Sequence, residues 1–301
     1  MRVVITGSSG LLGTYLLASC PEGTEIHALV RPGSSLVAND DVRVHEINFA
    51  DPDEVELKLL SLSPSAIINS AAEGRVDAVQ GKKDEFRPLN VEFPRLLGRF
   101  GNEHGIKVVH ISSNAVFAGR TNAYSDTDSP DPVNDYGVLK QEAEVAVLGE
   151  NSEALVVRPI LMYGWPQGRS RTNPAASWIS TLRSGQEIKV VNDVWSQPLY
   201  AGDCAQAVWR GIEESVSGTV NVSGGVRISL YEFALLVSQV FDLDASLIKP
   251  VSISSFPSLA PRPSETNFDL LRLRKELNMQ PYSPADGLRV LRESEPKWHV
   301  T

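Results

Sequence analysis

The chain predicts an α/β fold, a doubly wound parallel sheet with a smaller mixed lobe toward the C-terminus, and three observations carry that prediction. Strand and helix patterns alternate through residues 1–160. The first strand runs directly into a glycine turn and then a helix. After residue 160 the elements become shorter and lose that rhythm. Together these predict a Rossmann-type sheet over 1–160 with contributions from about 186–222, and a substrate lobe from 161–185 and 223–301.

Each element has its own reason. Arg2–Thr6 is apolar and β-branched, the pattern of a strand buried on both faces. The segment Gly7-Ser8-Ser9-Gly10-Leu11-Leu12-Gly13 follows, and then the helix formers Tyr15 to Ala18. Further strands are expected at Glu25–Val30, Val42–Ile47, Ala66–Asn69, Lys107–Ser112 and Leu155–Arg158. Helices are expected between them at about Pro52–Leu62, Leu89–Gly101 and Tyr136–Leu148. The second half predicts helices at Pro174–Ser184, Cys204–Glu214, Leu230–Phe241 and about Leu270–Leu277, with short strands at Ile188–Val191 and Thr219–Val222. Prolines punctuate 250–263, which reads as loop.

Composition excludes several classes. At 301 residues, 42% hydrophobic and 22% charged, the chain is an ordinary globular protein. A net charge of −9 opposes non-specific nucleic-acid binding, which draws its affinity from Lys and Arg on phosphates. Two cysteines, Cys20 and Cys204, make no disulfide framework, and no Cys or His spacing suggests a metal. No apolar run approaches the roughly 20 residues a membrane span needs, and Met1 leads directly into a strand instead of a signal peptide, so a cytoplasmic location is expected. His110 lies within an apolar run and reads as a satisfied core histidine.

The candidate chemistry lies at the strand ends, where open parallel sheets bind ligands. A glycine turn between a strand and a helix brings backbone N–H groups and the positive helix end to a diphosphate. Gly7, Ser9, Gly10, Leu11, Leu12 and Gly13 are therefore candidates for dinucleotide binding, although the spacing is G-x-x-G-x-x-G and not G-x-G-x-x-G. The second strand ends in Arg31, where an NAD enzyme places an acid. Arg31 with Ser34 and Ser35 suits a 2′-phosphate and hence NADP, with NAD as the alternative cofactor; a solvated loop arginine is the competing reading. Asn48 and Phe49 suit an adenine edge and face. Ser70, Ala71 and Ala72 let backbone approach a cofactor, and Pro159 closes the sixth strand.

The fifth strand ends in Ser112-Ser113-Asn114, and Tyr136-Gly137-Val138-Leu139-Lys140 follows. Tyr and Lys at i and i+4 share a helix face, and an ammonium beside a phenol favours its ionised form. That suits proton donation to a carbonyl oxygen that Ser113 also holds. Taken alone, Y-x-x-x-K also describes a surface tyrosine beside a solvated lysine.

These features together resemble the extended short-chain dehydrogenase/reductase superfamily, and within it the dTDP-4-dehydrorhamnose reductase family. The resemblance spans nearly the whole chain. Asn69-Ser70-Ala71-Ala72 with Val76-Asp77 is similar to that family's N-A-A-A-x-T-x-V-D, and Asn90 sits where the family has an asparagine. His110 to Gly119 resembles H-x-S-T-D-Y-V-F-D-G, and Ala260 to Ser264 with Phe268-Asp269 resembles R-P-x-N-S-x-L-D. The resemblance implies catalysis by Ser113, Tyr136 and Lys140, with diphosphate contacts from Gly10, Leu11 and Leu12. It also implies adenine contacts from Asn48 and Phe49, and contacts from Ala71, Ala72 and Lys140 on the nicotinamide-ribose side. The implied activity is NADPH-dependent reduction of the 4-keto group of a nucleotide-linked 6-deoxy sugar, with a homodimer as a compatible assembly. An epimerase or dehydratase of the same superfamily, or a non-catalytic NADP-binding subunit resembling methionine adenosyltransferase β, are the rival readings. Substrate candidates are Glu73, Ser113, Asn114, Met162, Asn173 and Arg262, with Arg169 and Arg171 as phosphate ligands or as a solvated basic loop. Three departures bear on the substrate: Ser113-Asn114-Ala115 replaces Thr-Asp-Tyr, Met162 replaces an aromatic residue, and Glu73-Gly74 replaces Tyr-Thr or His-Thr. Trp178 and Trp195 are expected to pack internally.

Overall fold

The computed structural model describes residues 1–34, 36, 41–120, 122–167, 172–256 and 260–295. Seven parallel strands form the central sheet: β1 (Arg2–Thr6), β2 (Glu25–Val30), β3 (Val42–Glu46), β4 (Ala66–Asn69), β5 (Lys107–Ile111), β6 (Leu155–Pro159) and the strand Gly218–Val222. The spatial order runs Gly218–Val222, β6, β5, β4, β1, β2, β3. The chain thus reverses its direction of travel between β1 and β4, where a crevice opens beyond the strand ends. Register there aligns Thr6 with Leu29 on one side and Asn69 on the other.

Strand alternation explains the two-sided core. Val3 and Ile5 face the helices Leu11–Ala18 and Ala201–Glu213, whereas Val4, Leu29 and Ile67 face Pro52–Leu62 and Phe93–His104. All of these strand residues are fully buried. The helix Pro52–Leu62 begins where the sequence predicts because Asp51 accepts the Glu54 N–H at 3.1 Å and Pro52 fills the first turn.

The helix Asp135–Glu150 is capped by Asn134, which accepts the Gly137 N–H at 2.8 Å. A side chain at Gly137 would sit 2.1 Å from the Ala115 carbonyl oxygen. Only glycine allows this helix to pack so closely on the turn after Ser113. That contact sets Tyr136 beside the end of β5.

The C-terminal lobe is a patchwork of two- to four-residue pairings. Met162–Tyr163 pairs with Leu199–Tyr200, Trp195–Ser196 with Ile228–Ser229, and Ile188–Val191 with Ile248–Val251. Its core is aromatic, with Tyr163, Trp165 and Phe233 buried against Leu288 and Leu291.

Several boundaries differ from expectation. The sheet's contribution from about 186–222 narrows to 201–222, because Ile188–Val191 pairs within the lobe. The helix Leu271–Glu276 belongs with the sheet, since Leu273 and Leu277 join its core. Ile248–Val251 is a strand despite Pro250, as a strand at the edge of a two-stranded pair tolerates a missing N–H. The helix expected from Leu89 opens with a π-turn, Pro88–Glu92. Two short helices, Val76–Val79 and Lys83–Arg87, lie between β4 and that turn. A last helix, Pro284–Glu293, was also not anticipated, although Ser283 caps it and Asp286 sits in its first turn. No helix among the described residues is long and apolar enough to cross a membrane.

Candidate active site

Two cavities of about 370 and 520 Å³ share Gly7, Gly10, Ser70, Ala72 and Gly74 and so form one cleft along the strand ends. One half runs from the glycine turn toward Arg31, Ser34 and Phe49. The other runs toward Ser113, Tyr136, Lys140, Met162 and Asn173.

The first half is built largely from backbone. Gly7 holds φ +70°, and a side chain there would lie 2.5 Å from the Ser70 carbonyl carbon. Gly10 precedes the helix Leu11–Ala18, and no side chain caps that helix start. The uncovered N–H groups at this helix start suit an anionic diphosphate. Ser9, Ala71 and Arg31 line this half as expected; Arg31 is exposed and makes no ion pair with a described residue. Phe49 also lines it, its ring packed 4.9 Å from Phe93. Asn48 does not line it, because its side-chain oxygen accepts the Ala50 N–H at 3.1 Å. Gly13 is turned inward: a side chain there would meet the Gly7 carbonyl oxygen at 2.3 Å, so it serves the packing of helix on turn.

The second half gathers the three expected catalytic groups. Ser113 follows β5 in extended conformation, and its hydroxyl accepts the Ala115 N–H at 3.1 Å. Tyr136 and Lys140 lie one turn apart and line the same cavity. Lys140 is 3% exposed and donates to the Ile111 carbonyl at 2.8 Å. Burial pushes its ammonium down to about 8, with the Glu144 carboxylate acting in the opposite direction. One of its three N–H groups is thus spent on the protein, leaving two able to donate elsewhere. Asn114, Met162, Leu11, Leu12 and Pro159 line this half too.

Beneath the cleft runs a buried polar chain. Thr6 donates to Asn69 at 2.7 Å, and the Asn69 amide meets His110 Nδ1 at 3.1 Å. His110 is 1% exposed and is held well below the usual imidazole range by burial and by Lys140. It is a core histidine, but an incompletely satisfied one: its Nε2 has no hydrogen-bond partner among the described residues.

Other candidates stand differently. Glu73 lines the glycine-turn half, its backbone bonded both ways to the Asn90 amide and its carboxylate paired with Arg75 at 2.7 Å. Asn173 reaches the cleft, but its amide caps the helix Pro174–Arg183 and donates to the Gly164 carbonyl at 2.7 Å. Arg262 does not line the cavity; it pairs with Asp77 at 2.7 Å. Ser35, Arg169 and Arg171 lie outside the described residues. Trp178 packs near Phe233, and Trp195 lies under the Arg227 guanidinium.

The profile described as RmlD substrate binding domain matches residues 1–291. The chain belongs to that family. The dTDP-4-dehydrorhamnose reductase-like resemblance of its motifs is thereby borne out. A dTDP-4-dehydrorhamnose reductase from Bacillus anthracis, solved in complex with NADP, superposes with a TM-score of 0.84 at 27% identity, covering 98% of this chain and 99% of that one. The methionine adenosyltransferase 2 subunit beta of Bos taurus is 30% identical over 285 residues, 90% of this chain and 81% of its own. A probable dTDP-4,6-dihydroxy-2-methyloxan-3-one 4-ketoreductase of Streptomyces antibioticus is 29% identical over 269 residues, 88% of this chain and 85% of its own.

In this RmlD-family chain the sequence reading missed two charged residues, one on the helix Asp135–Glu150 and one on β6. Glu144 and Arg158 form a buried pair beyond Lys140. Two signals were present: Tyr136, Lys140 and Glu144 repeat at i, i+4 and i+8 on one face, and Arg158 is a charge inside an otherwise apolar strand.

Proposed function

We propose that this chain is an NADPH-dependent reductase of the 4-keto group of a nucleotide-linked 6-deoxy sugar. The observation that carries the reading is the convergence of Ser113, Tyr136 and Lys140 on one cavity, continuous with the glycine turn and Arg31. The relatives named as reductases, one of them solved with NADP, support it.

The cleft fits NADP(H): Gly7 and Gly10 leave room for a diphosphate, the uncapped helix start offers N–H groups, and Arg31, with no ion-pair partner among the described residues, lines the same half and suits a 2′-phosphate. Once bound, the cofactor supplies the hydride equivalent. Tyr136 gives its phenolic proton to the carbonyl oxygen as charge develops there. The Lys140 ammonium stabilises the phenolate left behind and holds ribose hydroxyls. Ser113 donates its hydroxyl to the same oxygen and fixes the carbonyl's orientation. Asn114 and Met162 contact the sugar.

The retained trio favours this over a purely regulatory subunit, and an arginine at the end of β2 favours it over an NAD-retaining epimerase or dehydratase. The proposal includes a cytoplasmic location and a homodimeric assembly. Incubation with NADPH and a panel of keto-sugar nucleotides should give loss of absorbance with a 4-keto-6-deoxy member. Tyr136→Phe should lower that rate at least about 100-fold while NADPH still binds. A wild-type protein inert across the panel, or a Tyr136→Phe variant at full rate, would refute the reading.

A further inference from the structure

The charged pair beneath the catalytic helix stands where the elements supplying the reacting half of the cleft meet. Glu144 and Arg158 are each 5% exposed and are joined by two hydrogen bonds, of 2.8 Å from Nε and 2.6 Å from Nη2. Ser112 donates its hydroxyl to the Glu144 oxygen that also accepts from Arg158 Nε. Each member is one step from a cleft residue. Ser112 precedes Ser113, Glu144 lies one turn beyond Lys140, and Arg158 precedes Pro159. The Arg158 guanidinium also lies over the Phe117 ring, 5.0 Å from its centre, just past the turn that Ser113 opens.

A buried ion pair is a weak device for stability, because desolvating two charges offsets much of their attraction. Its position beside a buried lysine points to another role. We propose that Ser112, Glu144 and Arg158 act together as a positioning device that fixes Ser113 and Lys140 relative to one another, with Glu144 as the counter-charge of the Lys140 ammonium. Only the rate measurements below rest on the reductase reading.

The groups facing Lys140 are few. Tyr136 and Glu144 share its helix, while His110 and the Ile111 carbonyl approach from β5. Arg158 on β6 is joined to Glu144. Burial and the Lys140 charge keep His110 neutral; burial lowers the lysine's own proton affinity, and Glu144 raises it. Removing the Glu144 charge therefore moves the loss of the Lys140 proton to lower pH.

The test uses the full chain carrying Ser112→Ala, Glu144→Gln, or Glu144→Gln with Arg158→Met. The Lys140 Cε resonance, assigned with Lys140→Met, is titrated by NMR and needs no substrate. In Glu144→Gln it should titrate about one pH unit lower than in wild type. Turnover should fall about tenfold or more in Glu144→Gln and stay low in the double variant, with NADPH affinity within about twofold of wild type. An unmoved Lys140 titration, or a double variant restored to wild-type kcat, overturns the proposal. Should the charge variants not fold, Ser112→Ala decides, since it uncovers no charge: a several-fold loss of kcat at unchanged NADPH affinity supports the device, and full kcat overturns it. A wild-type protein inert toward every keto sugar would refute the reductase reading and leave the Lys140 titration to judge this one.

Discussion

Between Gly7 and Phe49 the cleft is walled by the ends of β1, β2 and β4 and by the glycine turn, where Gly7 has no room for a side chain. Between Ser113 and Pro174 it is walled by side chains from β5, β6, the helix Asp135–Glu150 and the two-residue strand Met162–Tyr163. At its centre the first half is a property of the backbone path, set by the turn at Gly7 and the end of β4, with side chains such as Arg31 and Phe49 at its outer end. The other is a property of particular residues brought together over long sequence separations. A nucleotide needs the first kind of wall, because phosphate is recognised by N–H groups and a helix end. A choice among sugars needs the second, because discrimination comes from side-chain shape and hydrogen bonding.

The contrast breaks most sharply at Gly7. Its positive φ and its 2.5 Å approach to the Ser70 backbone leave neither conformation nor space for a methyl group. Gly7→Ala should cost about 2 kcal/mol or more of stability and abolish NADPH binding in calorimetry. A Gly7→Ala protein that binds NADPH with wild-type affinity would show that the diphosphate does not pass over this turn.

The same contrast explains what the sequence made legible. Strands such as Arg2–Thr6, Ala66–Asn69 and Leu155–Pro159 were readable because burial on both faces leaves a largely apolar signature, and the glycine turn because it lies between such a strand and a helix. Ser113, Tyr136 and Lys140 were readable because a strand end and an i, i+4 pair are local patterns. The lobe was less so. Met162–Tyr163 and Leu199–Tyr200 are two residues each, too short for any periodicity, and exist only because each pairs with the other. Asn173 was marked by its place after the sixth strand and Arg262 by resemblance to the family's R-P segment, yet neither reveals a prior engagement. One amide is taken up as a helix cap and one guanidinium by Asp77. The pair Glu144–Arg158 was missed for a related reason, since a buried charge is justified only by its partner on another element.

A smaller effect is expected at Arg31, which sharpens the comparison on the nucleotide side. It lies at the outer end of the glycine-turn half and has no described carboxylate to neutralise it. Arg31→Ala should weaken NADPH about tenfold or more while leaving NADH within about twofold, as befits loss of a charge-assisted bond to a 2′-phosphate. Kd measured for both cofactors at one ionic strength provides the check, and equal losses would remove Arg31 from the cofactor site.

The smallest effect belongs to Arg262. Its pair with Asp77 is 38% and 47% exposed, so water screens it and it contributes no more than about 1 kcal/mol. Standing outside the described cavity, Arg262→Ala should leave Tm, kcat and the KM for a keto-sugar nucleotide near wild type. Asp77→Asn, which also holds the Ala260 N–H at 3.3 Å, should behave alike in activity. A tenfold rise in KM in Arg262→Ala but not in Asp77→Asn would mean that the guanidinium leaves Asp77 for the substrate's diphosphate. The side-chain half of the cleft would then extend past Pro174 to the segment beginning at Ala260, and the division between the two halves would have to be redrawn there.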